Sequence, residues 1–252
     1  MVGLILGRRS GTSSLARDLW YRGFPLREPL DVRPMKSQPL AHFECWEARH
    51  INREIMHHFR MGSSVPGIPP FLKYVPLMEW LGAVEQPYII KEPNICLTWP
   101  VWYRSAEAAG INLVAVWCRR EPEEQAISLQ KWYGMDAETS KWCVEMYEMS
   151  LTAAADKIET LEVHLLQNQD DRVNEAAKFF KRNGIKPGKP RDCDPVDARE
   201  GGDGDGDGKE GGGQESDGGR TQGQGAGDGP DAVVGSGEPA VAGEGSGDRV
   251  EA

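Results

Sequence analysis

Five short apolar runs in the chain predict β-strands, at residues 2–6, 24–26, 87–91, 111–118 and 163–166. The segments between them carry apolar residues at helical spacing, which predicts helices over 15–20, 44–60, 76–83, 99–109, 122–133, 136–158 and 171–182. The run at 111–118 is the clearest strand, because it is nearly all apolar and rich in β-branched residues, as a central parallel strand is.

Strands that alternate with helices predict a parallel sheet covered by helices on both faces. We therefore expect a three-layer α/β domain with a central parallel sheet of about four to five strands. Polar clusters follow three of the strands, at residues 9–13, 91–92 and 119–120. Because ligands of such sheets bind at the carboxyl ends of the strands, we expect these clusters to converge on one site.

Composition divides the chain near residue 192. The net charge of −10 belongs to the segment from Asp197 onward, which has 14 acidic and four basic side chains. That segment also holds 19 of the 30 glycines and no aromatic residue, a composition that cannot bury enough apolar surface to fold. We predict an α/β domain over residues 1–192 and a disordered tail rich in Gly, Asp and Glu over 193–252.

Cysteine usage and hydropathy indicate a cytoplasmic protein. The five cysteines are scattered without a C-x-x-C pair, so neither a zinc site nor a disulfide framework is predicted. No apolar run reaches the roughly 18 residues of a membrane-spanning helix, and the first run is too short for a signal peptide. The sequence indicates no membrane or nucleic-acid partner, and it carries no signal for an oligomeric state.

The most informative stretch is GRRSGTSS at 7–14, after the first strand. A strand, a polar loop bounded by glycine and a helix form a phosphate cradle, because N–H groups and the positive helix end face an anion there. The stretch lacks the lysine of the Walker A motif and is one residue shorter. No acidic residue ends a strand to hold Mg²⁺. These features disfavour a metal-dependent ATP or GTP hydrolase.

At this loop the chain resembles the P-loop sulfotransferases, including bacterial and phage members, which use 3′-phosphoadenosine-5′-phosphosulfate (PAPS). The family's first motif reads P-[RK]-S-G-T-[ST], and it is matched by Arg9, Ser10, Gly11, Thr12 and Ser13. Arg8 stands in place of the proline. The resemblance implies that this loop binds the 5′-phosphosulfate.

A second resemblance follows the clearest strand. The family has R-[ND]-P after a strand and a serine eight residues beyond the arginine, and here Arg120-Glu121-Pro122 is followed by Ser128. Two turns of helix place Ser128 on the same face as the arginine. The resemblance implies that Arg120 and Ser128 hold the 3′-phosphate.

The catalytic residues come from two further resemblances. His42-Phe43-Glu44 followed by Asn52 is similar to the F-E…N segment of some bacterial and phage members of the family. Lys91 ends a strand as the family lysine does, which implies that it stabilises charge on the transferring sulfuryl group. Pro93 and Asn94 stand where cytosolic members have a histidine base. Another group must then take the acceptor proton, and the candidates in order are Glu44, Glu92 and His42.

The resemblance implies a sulfotransferase that moves a sulfuryl group from PAPS, without a metal, to a hydroxyl or amine of an acceptor. We expect residues 61–80 and 94–103 to wall the acceptor pocket, and their Pro, Trp and Tyr content would suit a carbohydrate, a phenol or a lipid equally. The expected acceptor is a small molecule, a glycan or a phenolic compound. A small-molecule kinase of the same fold is an alternative, against which the missing loop lysine counts. A degenerate nucleotide-binding interaction protein is another, favoured by the departures at Arg8, Glu121 and Pro93.

Overall fold

The computed structural model describes residues 1–32, 42–61 and 67–191 of the protein. The predicted tail, 193–252, lies outside the described residues. In chain order the elements are β1 (Val2–Leu6), α1 (Thr12–Tyr21), β2 (Leu30–Asp31), β3 (Glu44–Cys45), α2 (Trp46–His58), α3 (Val75–Gly82), β4 (Tyr88–Lys91), α4 (Ile95–Ala108), β5 (Leu113–Arg119), α5 (Pro122–Tyr133), α6 (Ala137–Ala155), β6 (Glu159–His164) and α7 (Gln169–Arg182).

The main sheet is parallel and has four strands in the order β4-β1-β5-β6. β1 is central, with Leu4 aligned with Ile90 of β4 on one side and with Ala115 of β5 on the other. A separate antiparallel pair joins β2 to β3. The expected α/β fold with a parallel sheet between helices is therefore confirmed.

The two faces of the sheet bury two cores, because successive side chains of a strand point in opposite directions. Val2, Leu4 and Leu6 pack with residues of α2, α3, α4, α5 and α6. Ile5 packs with residues of α1 and α7 on the other face. Helices thus cover both faces, which leaves the carboxyl edge of the sheet for the loops.

Helix α4 continues through a proline. It begins at Ile95, earlier than the predicted 99–109, so Pro100 lies inside the helix. Pro100 has no N–H to donate to the carbonyl of Cys96, which would otherwise lose its helical partner. The Ser150 hydroxyl of α6 donates to that carbonyl at 2.6 Å. A side chain from a neighbouring helix therefore satisfies the group that the proline leaves open.

Two predicted strands differ from the structure. Residues 24–26 form only an isolated bridge from Leu26 to Ile89, since Pro25 has no N–H for a ladder. The last strand runs over Glu159–His164 and not over 163–166. It is an edge strand with exposed glutamates, so its polar residues do not show the apolar pattern of a buried strand.

Two helix starts also differ, and both affect the site. The segment 44–60 does not begin as a helix, because Glu44 and Cys45 pair with β2 before α2 starts at Trp46. Helix α1 begins at Thr12, three residues before the predicted start at 15, so Thr12 and Ser13 belong to its first turn.

Four cysteines (Cys45, Cys96, Cys118 and Cys143) are buried free thiols. Among the described residues, no helix is long and apolar enough to span a membrane.

A substitution at Gly3 tests the packing of α7 on the sheet. A Cβ at Gly3 would lie 2.7 Å from Phe180 Cε1 and 2.9 Å from Ile185 Cδ1, both buried. We expect Gly3→Ala to lower the free energy of unfolding by about 1–3 kcal/mol through overpacking, measured by urea denaturation. The matched control is Gly82→Ala in α3, where a Cβ meets nothing within 4 Å. An unchanged midpoint for Gly3→Ala would contradict this packing.

Candidate active site

One cavity of about 690 Å³ opens at the carboxyl ends of β1, β4 and β5. The β1–α1 loop, the ends of β4 and β5, and helices α2 and α5 contribute to its wall. Its lining residues are Arg8, Arg9, Ser10, Gly11, Thr12, Ser13, His42, Glu44, Arg49, Arg53, Met56, His57, Met61, Lys91, Glu92, Pro93, Asn94, Arg120, Trp132, Tyr133 and Leu165. The three polar clusters of the sequence thus meet at one place.

The β1–α1 loop, residues 7–11, is bent by three left-handed residues. Gly7, Arg9 and Gly11 have φ angles of 122°, 56° and 84°. A Cβ at Gly7 would lie 2.4 Å from Ser10 Oγ and 2.6 Å from the carbonyl oxygen of Cys118, so only glycine fits there. Gly11 is the N-cap of α1 and has no side chain to accept from the first-turn N–H groups. The loop therefore presents a helix N-terminus, which favours a bound anion.

An unpaired hydroxyl inside the loop fits the same ligand chemistry. Ser10 is 1% exposed, and its Oγ has no hydrogen-bond partner among the described residues. Leaving such a group buried without a partner costs about 1–3 kcal/mol. An anion bound in the loop would accept a hydrogen bond from this hydroxyl, so the residues present fit a phosphate or sulfate group.

Contacts of Arg9 and Arg120 connect the β1–α1 loop to the end of β5 and to helix α5. Arg9 Nε donates to Ser128 Oγ of α5 at 2.9 Å, and the Arg9 guanidinium lies 5.6 Å from the centre of the Trp132 ring. Arg120 Nη1 approaches the carbonyl oxygen of Arg9 at 3.4 Å. Burial, together with the charges of Arg120 and Arg8, lowers the pKa of Arg9. Such a concentration of positive charge attracts an anionic ligand.

Arg8, in the place of the family proline, is a buried guanidinium. Its Nη1 donates to Asn94 Oδ1 at 3.0 Å, and its Cζ lies 5.1 Å from the centre of the Tyr133 ring. Gln125 donates to the Arg8 carbonyl oxygen at 2.6 Å. These contacts join the loop to α4 and α5 and fix its position.

Lys91, at the end of β4, is 1% exposed, and its ammonium group has three hydrogen-bond acceptors. Its Nζ donates to Ser13 Oγ at 3.1 Å, to the carbonyl oxygen of His42 at 2.8 Å and to Glu44 Oε1 at 3.0 Å. These bonds hold the ammonium between the first turn of α1 and strand β3. It can therefore neutralise charge beside the loop without a search among rotamers.

Glu44 is surrounded by basic groups. Besides Lys91, Arg49 Nη1 lies 3.7 Å from its Oε2, and His42 Nδ1 lies 3.4 Å from its Oε1. Burial opposes ionisation of this carboxyl, but the charge of Lys91 and the bond from His42 outweigh it and hold the Glu44 pKa well below its usual range. Glu44 is thus an ionised, weakly basic carboxylate that balances Lys91 and orients His42.

Glu92 lies in a different environment, on the side of α2 and α4. It is 1% exposed, and the amides of Asn52 and Asn94 donate to its two carboxyl oxygens. The Asn52 oxygen accepts from Trp102 Nε1 at 2.7 Å, and because the indole only donates, this bond fixes the amide so that its NH₂ faces Glu92. Burial, and then the charge of Glu44, raise the Glu92 pKa to about 7.

Most of the predicted site residues line this cavity, but not all of them do. Those that line the cavity are Arg9, Ser10, Gly11, Thr12, Ser13, Glu44, Lys91, Glu92 and Arg120. Ser128 is not in the lining but reaches it through its bond with Arg9. Arg119, although part of the third polar cluster, does not line the cavity and pairs with Glu148 at 2.8 Å and Glu162 at 3.1 Å.

The prediction of which residues wall the acceptor pocket is largely wrong. From residues 61–80 and 94–103, only Met61 and Asn94 line the cavity, and residues 62–66 lie outside the described part. Trp99 and Trp102 are buried in the core, because α4 packs against the sheet along this face. Helix α2 takes that place with Arg49, Arg53, Met56 and His57. These residues were not predicted from the sequence, although the i, i+4, i+8 spacing of positions 49, 53 and 57 places three of them on one face of a helix.

Comparisons with known proteins add little. No protein-family model and no curated protein matches the chain. Among solved structures, a crystal structure of a sulfotransferase from Mycobacterium tuberculosis is similar at a TM-score of 0.39 and 12% identity, over 73% of this chain and 67% of that chain. Within 1–32, 42–61 and 67–191, no group of three or more His, Cys, Asp or Glu residues has the arrangement of a metal site. We therefore infer function from the cavity residues.

The Glu92 carboxyl predicts a pH dependence of stability. Its pKa rises from 4.5 to about 7 on folding. Between these values the folded protein holds a proton that the unfolded chain releases, so the free energy of unfolding falls as pH rises. We expect Glu92→Gln to remove a fall of about 2–3 kcal/mol between pH 5 and pH 8, measured by urea denaturation.

The matched control is Glu85→Gln, at an exposed glutamate, which should keep the fall seen in the wild type. An equal pH dependence in Glu92→Gln and the wild type would show that Glu92 ionises normally.

Proposed function

We propose that the protein is a PAPS-dependent sulfotransferase that transfers a sulfuryl group to a hydroxyl or amine acceptor. The observation that carries the proposal is the placement of two anion-binding groups around one cavity, with the buried Lys91 beside them. One group is the β1–α1 loop, and the other is the pair of Arg120 and Ser128, which contacts Arg9 of the loop. A nucleotide with anionic groups at both its 5′ and 3′ positions is complementary to this pair.

In this proposal the loop holds the 5′ end of the nucleotide. Ser10, Gly11, Thr12 and Ser13 would contact the phosphosulfate through loop N–H groups, the first-turn N–H groups and the unpaired Ser10 hydroxyl. Arg120 and Ser128 would hold the 3′-phosphate. Arg120 is bonded at 3.0 Å to Glu124, a half-exposed carboxylate on the first turn of α5, which a doubly charged phosphate can replace as its partner.

The chemistry requires position and charge compensation more than covalent participation. PAPS supplies the sulfuryl group, which passes to the acceptor by in-line displacement. Lys91, fixed by Ser13 and Glu44, lies where it would neutralise negative charge next to the loop. Positioned charges in a site with little water supply a large share of catalysis. A proton must also leave the acceptor during this displacement.

We assign the proton acceptor to His42, with Glu44 as its positioning residue. Imidazole is the side chain most often used for proton transfer near neutral pH. His42 lines the cavity, and its Nδ1 faces Glu44, which would stabilise the imidazolium after proton transfer. This changes the order expected from sequence, because Lys91 makes Glu44 a weak base. Glu92 is the second candidate, supported by its pKa near 7.

A small-molecule kinase and a nucleotide-binding protein without catalysis are the competing functions. A kinase would need an acidic partner for Mg²⁺, and the carboxylates of the cavity wall, Glu44 and Glu92, are both occupied by internal bonds. A non-catalytic protein would not need a buried lysine held at the loop. The cavity chemistry therefore favours the sulfotransferase.

Ligand-induced stabilisation tests the nucleotide assignment. We expect 3′-phosphoadenosine-5′-phosphate (PAP) to raise the melting temperature of the protein, because a ligand that binds only the folded state stabilises it. Arg120→Ala should abolish the rise. The control Arg119→Ala, at the neighbouring arginine that pairs with Glu148 and Glu162, should keep it. A rise with ATP–Mg²⁺ and none with PAP would contradict the proposal.

Three single variants test the base. We expect His42→Gln to lower kcat by about 10²–10⁴-fold while the PAP-induced rise in melting temperature is retained. Glu44→Gln should have an intermediate effect, and Glu92→Gln should change kcat by less than about tenfold. The measurement is transfer from radiolabelled PAPS to a panel of phenols and neutral and acidic oligosaccharides. The reverse ranking of Glu92 and His42 would identify Glu92 as the base.

A further inference from the structure

Arg172, on the first turn of α7, is a buried cation without a compensating charge. The residue is 3% exposed. In the described part of the chain its Nε and Nη1 have no hydrogen-bond partner and it forms no ion pair. Its one polar contact is a long bond of 3.4 Å from Nη2 to Ser14 Oγ. Among the described residues, no carboxylate therefore pairs with this guanidinium, which is almost fully removed from water.

Such an arrangement is costly unless an anion completes it. A buried charge without a partner loses its hydration and gains nothing in return. Unpaired buried polar atoms in a folded protein require an explanation, and a bound ion is one of the few available. Arg8, the other buried arginine among the described residues, donates to Asn94 and lies beside the rings of Tyr133 and Tyr147. Arg172 has no comparable set.

The guanidinium lies beside the first turn of α1. A Cβ at Gly11 would stand 2.5 Å from Leu165 Cδ1 and 3.2 Å from Arg172 Nη1, so the absence of a side chain at Gly11 lets the guanidinium lie close to the loop. Ser14, which touches Nη2, belongs to the same turn and donates to the Gly11 carbonyl oxygen at 2.8 Å. The unpaired nitrogens and the N-terminus of α1 therefore act on the same small region.

We propose that Arg172 and the first turn of α1 form an anion subsite for the phosphoryl group at the 5′ end of the bound nucleotide. The proposal rests on the function proposed above, and it adds a residue from α7 that no motif indicated. Arg120 and Ser128 are assigned to the 3′-phosphate, whereas Arg172 touches the loop assigned to the 5′ group. Removing Arg172 should then weaken binding of one end of the nucleotide and not of the other.

Calorimetric titration with three nucleotides tests the subsite. The probes are 5′-AMP, 3′-AMP and PAP, added to the wild type, to Arg172→Gln and to Arg172→Lys. We expect Arg172→Gln to weaken 5′-AMP and PAP at least about tenfold, as the loss of a charge-assisted bond does, and to leave 3′-AMP within about twofold. Arg172→Lys should fall between, because it keeps the charge and loses the planar fork. The control is Arg182→Gln, at an exposed arginine of the same helix.

The melting temperature of the ligand-free variant separates binding from a structural role. If Arg172 serves the ligand, Arg172→Gln should melt at or above the wild-type temperature without nucleotide, because an uncompensated charge has been removed. A lower melting temperature with equal losses for 5′-AMP and 3′-AMP would assign Arg172 to the fold and overturn the proposal.

The two proposals fail in different ways. Unchanged affinity of Arg172→Gln for 5′-AMP and PAP would overturn the subsite and leave the sulfotransferase proposal intact. A wild-type protein that binds none of the three nucleotides would overturn both.

Discussion

The buried ion pair between Lys91 and Glu44 is the interaction on which the site depends. It joins the end of β4 to β3, and the bond from Lys91 to Ser13 extends it to α1. Burying two charges costs several kcal/mol per ion unless further hydrogen bonds satisfy them. The Ser13 hydroxyl and the His42 carbonyl oxygen supply those bonds to Lys91. Three separate chain segments are therefore held in one arrangement before any ligand binds.

The arginines of the cavity, in contrast to Lys91, carry an excess of positive charge. Arg8, Arg9 and Arg120 lie close together, and Glu124 is the one carboxylate bonded to this group among the described residues. Fixed positive charge raises the local concentration of anions and stabilises them on binding. The cavity thus has a neutralised half at Lys91 and an unneutralised half at the arginines. In our proposal the nucleotide supplies the missing negative charge.

The two carboxylates beside Lys91 show how neighbours decide chemistry. Glu44 and Glu92 lie on either side of the β4 end and are both nearly inaccessible to water. Glu44 faces basic groups and stays ionised, whereas Glu92 faces amides and core side chains and has a pKa near 7. In the sequence Glu44 begins a predicted helix and Glu92 follows a predicted strand, and nothing local predicts their different pKa values. Only their folded neighbours do so, namely Lys91 and His42 beside Glu44 and the amides of Asn52 and Asn94 beside Glu92.

The sequence by itself determined the order of the strands and helices and the position of the loops at their ends. Hydrophobic periodicity is a local property, and it sufficed for β1, β5 and the α/β class. It also indicated the β1–α1 loop, because the glycines at 7 and 11 mark a turn that other residues cannot adopt. The exposed edge strand β6 and the pair β2–β3 were mislocated or missed, since their side chains do not alternate as buried strands do.

Tertiary structure alone decided which side chains share the cavity. Arg172 is distant in sequence from the loop, and no spacing connects the two, but the packing of α7 against α1 brings its guanidinium to Gly11 and Ser14. The wall formed by α2 likewise depends on how that helix lies across the sheet end. Burial, charge balance and hydrogen-bond completion are sums over neighbours from separate segments, so they exist only once the chain is folded.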